Sequence, residues 1–377
     1  MDIFLSAGEA SGDLHGAHLA RAIHTIAPQT RLSCLGGPML QGTGARVIVD
    51  NRNISVVGAS EVMRHIRSIY NSWRRIQAHL RSNPPDIVVL IDFPDFNLLL
   101  GRFAKKLGSK IFYYISPQVW AWREGRVASI RRIADQMAVI LPFEKAFYSS
   151  RGMEVQFVGH PLIDILQSAP DREVAEAKYR LNRTGPLIGL LPGSRRSEIG
   201  LLFGLLMDSA RRISMEVPQA SFIIPVAPSL NADEILDRAS AWNLPVRIVR
   251  EDTYGVIRAC DLILTASGTV TLEAAILGTP MIITNRLSRL SGKIGRRLIH
   301  VKYIGLPNLI AGRKVAPEFV QEAAQAPLIA DEAIAMLKNP ARLGEQRRVF
   351  DMMRQELGEP GVSDRVARLV LETARGE

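Results

Sequence analysis

The sequence predicts an α/β protein built from two parallel-sheet domains, and three observations carry that prediction. At 377 residues the chain exceeds what one hydrophobic core ordinarily organises. Short apolar runs such as Ile3 to Ala7 and Asp86 to Ile91 have the form of strands buried on both faces, and amphipathic stretches of helical period separate them. The same alternation starts afresh near Leu187. The expected domains are 1–166 and 172–350, joined by the polar linker Gln167 to Asp171, with a helix over 351–377 that returns to the first domain.

Composition narrows the partners. Apolar residues make up 47% and charged residues 22%, as in a folded globular chain. Lys and Arg number 47 against 37 Asp and Glu, and the surplus of +10 points to an anionic partner: nucleic acid, phosphorylated metabolites or an anionic membrane surface. No aromatic-basic RNA signature and no zinc-finger spacing occurs, so no nucleic-acid partner is expected. Cys34 and Cys260 stand far apart and read as small core residues in a reducing compartment. The opening MDIFLSAGEASGD reads as a first strand rather than a signal peptide, and no run of 18 apolar residues suggests a membrane span.

In chain order, Ile3 to Ala7 is the first strand and leads through GEASGD into a helix over Leu14 to Ile26. Glu9, Ser11 and Gly12 sit at the C-terminal end of that strand, where open α/β sheets bind ligands. Helix capping is the plainer role for Ser11 or Asp13, but it does not account for Glu9. Leu32 to Leu35 is a second strand; the glycine-rich turn after it, Gly36 to Gly44, lacks the dinucleotide spacing. Arg46 to Val49 reads as a third. Val62, Ile66, Ile69, Trp73, Ile76 and Leu80 then form one helical stripe, widened by Met63 and Tyr70 and flanked by arginines. Packing on the sheet is one use for it. Docking of Val62, Met63, Ile66, Ile69 and Tyr70 on an anionic bilayer is the other.

The run at Asp86 to Ile91 delivers Asp92 and Asp95 at its C-terminal end, where a carboxylate beside proline is poorly explained by packing. Ile111 to Ile115 is the next strand. Its exit carries Ser116, Trp120 and Trp122, tryptophans suited to a sugar or acyl chain as well as to a core. Met137 to Leu141 follows, and His160 reads as a structural turn histidine.

The second half offers strands at Leu187 to Leu191, Ser221 to Val226, Val246 to Val249, Leu262 to Thr265 and Met281 to Thr284. The first ends in Gly193, Ser194 and Arg195, a phosphate-type loop: glycine admits close backbone approach, amides donate, and a guanidinium forks onto phosphate oxygens. An ordinary turn with two solvated arginines is the alternative reading. Ser267, Gly268 and Thr269 stand at a helix N-terminus that favours phosphate, and Glu273, one turn on, reaches for ribose hydroxyls or simply caps. Arg286 to Lys302 is basic among Leu and Ile, and Asn308 is a single buried-looking amide in a polar loop.

GEASGD at Gly8, DFPDFN at Asp92, SPQVWAWR at Ser116, LPFEKAFY at Leu141, VGHP at Val158, LLPGSRRSEI at Leu190, ASGTVTLE at Ala266 and GLPNLIAGR at Gly305 follow one another over nearly the whole chain. In this series the sequence closely resembles the lipid-A-disaccharide synthases. The resemblance implies the GT-B fold, two Rossmann-like domains facing a central cleft. It implies an inverting hexosyltransferase that joins UDP-2,3-diacylglucosamine to the 6-hydroxyl of 2,3-diacylglucosamine 1-phosphate (lipid X) in a β-1,6 linkage, releasing UDP.

On that reading Asp92 is the expected base, with Asp95 or Glu9 as alternatives. Arg195, the loop amides and the helix opening at Gly268 neutralise the leaving diphosphate, Glu273 takes the ribose and Asn308 touches the diphosphate or sugar. No D-x-D metal motif is present, so neither metal nor cofactor is expected. Acylated substrates imply a peripheral place on the cytoplasmic face of the inner membrane, although Ala59, Ser60 and Ser68 make the start of the stripe modest and the attachment weak and salt-sensitive. Oligomeric state stays open, a homodimer included. The rivals are another GT-B UDP-sugar enzyme, such as a UDP-N-acetylglucosamine 2-epimerase or a cell-wall glucosaminyltransferase, and a non-catalytic membrane-binding UDP-sugar sensor.

Overall fold

The computed structural model describes residues 1–54, 59–122, 124–179, 185–228, 230–286 and 302–377, and the side chains of all of these except 59–66, 121, 122 and 124. The chain divides into two compact units, one formed by Met1–Asp164 with Leu357–Glu377 and the other by Ile165–Glu356.

The first unit carries β1 (Asp2–Ala7), α1 (Ala10–Ile26), β2 (Arg31–Gly36), α2 (Pro38–Gln41), β3 (Arg46–Asp50), α3 (Ala59–Ser82), β4 (Ile87–Ile91), α4 (Pro94–Lys106), β5 (Lys110–Tyr114), α5 (Val119–Trp122), α6 (Val127–Ile133), β6 (Gln136–Val139), α7 (Pro142–Ser149), β7 (Gln156–Phe157) and α8 (Leu162–Ile165). Its strands are parallel in the order β3-β2-β1-β4-β5-β6-β7. Every residue of β4 is buried, because β1 and β5 pair with its two edges and helices cover its faces. Strand order reverses between β1 and β4, and this switch point is where such sheets open a crevice at their C-terminal ends.

Helix α3 divides along its length. Ile76 and Leu80 are fully buried, and Trp73 meets the rings of Phe96 and Phe103 edge-on at 5.6 and 5.8 Å. Ile69, one of the expected membrane contacts, is half-buried against the same core cluster, which corrects its reading: the helical period brings it round with Trp73 and Ile76 onto the sheet. Tyr70 points outward and is 57% exposed. The side chains of Val62, Met63 and Ile66 lie outside the described residues, as does most of the basic stretch from Arg286 to Lys302. Among the described residues no helix is long and apolar enough to cross a membrane.

The second unit carries α9 (Arg172–Tyr179), β8 (Leu187–Leu191), α10 (Arg196–Glu216), β9 (Ser221–Val226), α11 (Ala232–Ser240), β10 (Val246–Arg250), α12 (Thr253–Ala259), β11 (Leu262–Ala266), α13 (Thr269–Ile276), β12 (Met281–Asn285) and β13 (Glu318–Val320). Its parallel sheet runs β10-β9-β8-β11-β12-β13 and reverses between β8 and β11. Both units are therefore Rossmann-like. The last helix, Val362–Arg375, belongs to the first unit and lays Val362, Val366, Ala367, Val370 and Leu371 against α1, β4 and β5. Asp164 ties it down by accepting from the amides of Gly361 (2.7 Å) and Ser363 (3.1 Å).

Candidate functional site

Each switch point gathers residues singled out in the sequence. In the first unit Ala7 and Ile91 are register partners, so the residues just beyond them, Glu9 and Asp92, leave neighbouring strands at the same end. Glu9 holds the N-cap position of α1 without a capping side-chain bond, so capping does not occupy its carboxylate. Burial first, and then the charge of Glu9, push the Asp92 carboxyl up to about 6, against the lowering pull of the Phe93 amide. A carboxylate poised there is a competent base near neutral pH.

The backbone that aims it is unusual: Asp92 and Phe93 both adopt left-handed conformations, with φ of 44° and 46°. The Asp92 carbonyl accepts from Asn97 Nδ2 at 2.7 Å and from the Tyr113 hydroxyl at 3.0 Å. Gly8 leaves the room Phe93 needs, since a Cβ there would fall 2.5 Å from Phe93 Cγ.

Asp95, the alternative base, is exposed in the first turn of α4 and ion-paired with Arg126. Ser11 is exposed in the first turn of α1, whereas Gly12 is buried with Ala7 and Ile91 as its neighbours. Asp13 caps no end of its own helix; its buried carboxylate accepts from the amides of Gly37 (2.7 Å), Met39 (2.9 Å) and Leu40 (3.2 Å), tethering α2. Ser116 and Trp120, expected at the substrate, have partners within the protein. The Ser116 hydroxyl is buried 2.5 Å from the Tyr148 hydroxyl, and the Trp120 indole donates to Glu144 Oε1 at 3.2 Å while standing edge-on to Phe143. Glu144 also accepts from the amides of Ile140 and Leu141, and burial drives it up to about 7. These groups brace one another because the loop after β5 and the start of α7 must satisfy their polar atoms away from water. His160 is buried, its Nδ1 accepts from the Leu162 amide (3.2 Å), and burial lowers its pKa to about 3; it is a neutral turn residue.

In the second unit a cavity of about 630 Å³ opens at the switch point, lined among others by Gly193, Ser194, Arg195, Ser267, Gly268, Thr269 and Glu273. Three separate segments that the sequence marked thus line one space. Gly268 is the N-cap of α13; the Thr271 amide donates to its carbonyl at 3.1 Å, and the positive end of the helix dipole at this N-terminus favours negative charge. The Ser267 hydroxyl donates to the Ile304 carbonyl at 3.0 Å. Glu273 is driven up to about 7 by burial, partly offset by the Tyr254 phenol.

The β8 loop differs from expectation. The amides of Ser194 (2.9 Å) and Arg195 (3.2 Å) donate to Glu198 Oε2, so an internal carboxylate, not an open nest, faces them. Gly193 has φ 114°, and the Glu198 carboxyl packs over it. Arg195 and Arg196 are exposed, with Arg195 Nη1 4.0 Å from Glu198 Oε1.

Asn308, expected at the diphosphate or sugar, has its side-chain amide bonded within the protein. It is fully buried, its Nδ2 donates to the Ala316 carbonyl and Glu318 Oε1, and its Oδ1 accepts from the amides of Val315 and Ala316. Every polar atom of the side-chain amide is spent inside the protein, so it organises the loop leading to β13. Sequence reasoning also passed over Asn97, Tyr113, Glu144, Glu198 and Tyr254. Glu198 carried a readable signal, a Glu three residues after an N-cap position, and Tyr254 follows the end of β10 at the ligand-binding edge of the sheet.

Comparison with known proteins agrees over the whole length. A family model described as lipid-A-disaccharide synthetase matches residues 3–372. The lipid-A-disaccharide synthase of Geobacter sulfurreducens is 44% identical over 370 residues, covering 98% of this chain and 96% of the relative. That of Nitrosococcus oceani is 40% identical over 375 residues, covering 100% and 97%. Among solved structures, UDP-GlcNAc 2-epimerase from Neisseria meningitidis superposes with a TM-score of 0.66 at 13% identity (99% of this chain, 100% of that one), and Acinetobacter baumannii MurG with 0.61 at 15% (98% and 99%). At such identities the likeness establishes the shared fold, that of the GT-B enzymes.

Proposed function

The chain belongs to the lipid-A-disaccharide synthase family and is a hexosyltransferase of lipid A biosynthesis, and from this premise we propose that it transfers the glucosaminyl unit of UDP-2,3-diacylglucosamine to the 6-hydroxyl of 2,3-diacylglucosamine 1-phosphate. The new linkage is β-1,6, formed with inversion, and UDP leaves. One observation supports the division of labour best: the Gly193 to Arg195 loop, the N-terminus of α13 and Glu273, far apart in sequence, line a single cavity in the second unit. That unit holds UDP. The first unit supplies the base.

In the reaction the acceptor O6 attacks the anomeric carbon from the face opposite the diphosphate, and Asp92 takes the O6 proton. The bond between the anomeric carbon and the β-phosphate oxygen breaks, and its electron pair stays on UDP. The N–H groups opening α13 and the Arg195 guanidinium stabilise that charge, and Glu273 receives the ribose. Because Glu198 fills the amides of the β8 loop, the guanidinium rather than the loop backbone is the cationic partner there. Both substrates are acylated, so the enzyme works peripherally at the cytoplasmic face of the inner membrane, and the basic surplus of +10 favours an anionic surface.

The test is to incubate the enzyme with donor alone and with donor plus acceptor. UDP should form only with acceptor present, and the disaccharide should show the β-anomeric coupling. Consumption of donor without acceptor would instead mark an epimerase or hydrolase. Asp92→Asn and Arg195→Ala should each lose turnover at an unchanged melting temperature; full activity in both would overturn the assignment of the site.

A further inference from the structure

We propose that Asn97, clamped by Ser6 and assisted by Tyr113, is the positioning residue for the base; the proposal rests on the reading of Asp92 as that base. The argument begins with the backbone. The left-handed region is unfavourable for an L-residue, and here two residues in succession, Asp92 and Phe93, occupy it. Such a conformation persists only where the surroundings over-determine it.

The surroundings do so through one buried amide. Asn97 is fully buried in the second turn of α4, and its Nδ2 faces three carbonyl oxygens: Asp92 at 2.7 Å, Ile91 at 3.1 Å and Ser6 at 3.4 Å. Its Oδ1 accepts from the Ser6 hydroxyl at 2.6 Å. The orientation of the amide is therefore fixed by chemistry, because turning it over would set an oxygen against three carbonyls. The Tyr113 hydroxyl reaches the Asp92 carbonyl from the neighbouring strand β5. The main chain of Asp92 is thus held to strand β5 and helix α4, and through Asn97 to β1. The backbone N–H of Asn97 donates to the Phe93 carbonyl at 3.0 Å, the first-turn helix bond that engages the second left-handed residue. A solvent-facing asparagine would make none of these side-chain bonds; an apolar residue of similar size would fill the space but leave the Asp92 and Ile91 carbonyls without this donor.

Asn97→Asp keeps the shape and reverses the polarity against the three carbonyls. Turnover should fall about a hundredfold, the cost of a reacting group misplaced by about 1 Å, while the KM for donor and acceptor changes less than about twofold. Tyr113→Phe removes only a hydroxyl from a packed ring and keeps the test open if Asn97→Asp fails to fold; it should lower kcat several-fold with the melting temperature nearly unchanged. The deciding measurement is the cycle with Asp92→Asn. If Asn97 and Tyr113 act through the base, Tyr113→Phe costs nothing further in the Asp92→Asn protein.

An equal additional loss in that background, or parental kcat in the Tyr113→Phe single variant, overturns the proposal. Full activity of Asp92→Asn alone would instead overturn the assignment of the base, so the two failures are distinct.

Discussion

Gly193→Ala is the substitution whose consequence the structure fixes most closely. The residue has φ 114°, outside any conformation an L-side chain adopts readily, at a cost of roughly 1–3 kcal/mol. The added methyl would fall 2.6 Å from Glu198 Cβ, about 0.9 Å inside the ordinary separation of about 3.5 Å. Glu198 Cβ cannot swing aside, because Glu198 sits in the first turn of α10 and its carboxylate is bound to the amides of Ser194 and Arg195. Relief must come from moving the loop, and overpacking of that kind costs about 1–3 kcal/mol more. The expected total is roughly 2–6 kcal/mol, a fall in melting temperature of about 4–24 °C for a unit of this size.

The loop also carries Arg195, so a shift approaching 1 Å should lower kcat/KM for donor about 30- to 100-fold. Differential scanning calorimetry and initial rates with varied donor measure both quantities. Glu198→Ala is the control: it removes the carboxylate from the two amides without straining Gly193, and its losses should be smaller. A Gly193→Ala protein with parental melting and parental donor kcat/KM would show that Glu198 does not pack over the glycine as described.

Other outcomes follow from the same reasoning. The rising limb of kcat/KM with pH should fall near 6, because Asp92 must lose its proton to act. Glu9→Gln removes the charge that helps raise Asp92 and should move that limb to lower pH, and an unmoved limb would separate the two carboxylates. Asn308→Ala should cost about 2–4 kcal/mol in denaturant unfolding and leave the donor KM unchanged, whereas a ligand contact would do the opposite. Tyr70→Ser should weaken binding to anionic vesicles at unchanged stability, and Ile76→Ser should lower stability with vesicle binding intact; parental vesicle binding by the first removes Tyr70 from any membrane face.

Much of the architecture is legible because buried parallel strands leave a dense local mark. Ile87 to Ile91 is apolar throughout and ends at a carboxylate, so both the strand and the candidate base could be read from six residues. β7 and β13 have two and three residues and leave no such pattern; they exist because a neighbouring edge pairs them. Side-chain roles were readable where polarity at a strand end had no local use, as with Glu9, Asp92 and Glu273. They were not where the partner is remote. An asparagine looks the same whether it meets a ligand, as expected of Asn308, or a backbone, as found for Asn308 and Asn97. Ile69 shows the same limit for apolar residues, since a helical stripe records a face and not what covers it.

The return of the last helix to the first unit has a consequence for how the protein is made. Synthesis delivers residues 1–164 before the second unit, yet the segment that covers α1, β4 and β5 leaves the ribosome only after all of Ile165–Glu356. At roughly 5–20 residues per second, the intervening Ile165–Glu356 segment takes about 10–40 s to appear. For that interval the nascent first unit carries an uncovered apolar seam, while the second unit already has its whole sequence. Completion of folding therefore runs against chain order, and chaperone occupancy should peak on the early half of the polypeptide. A stop codon placed before Val362 would leave that seam permanently open.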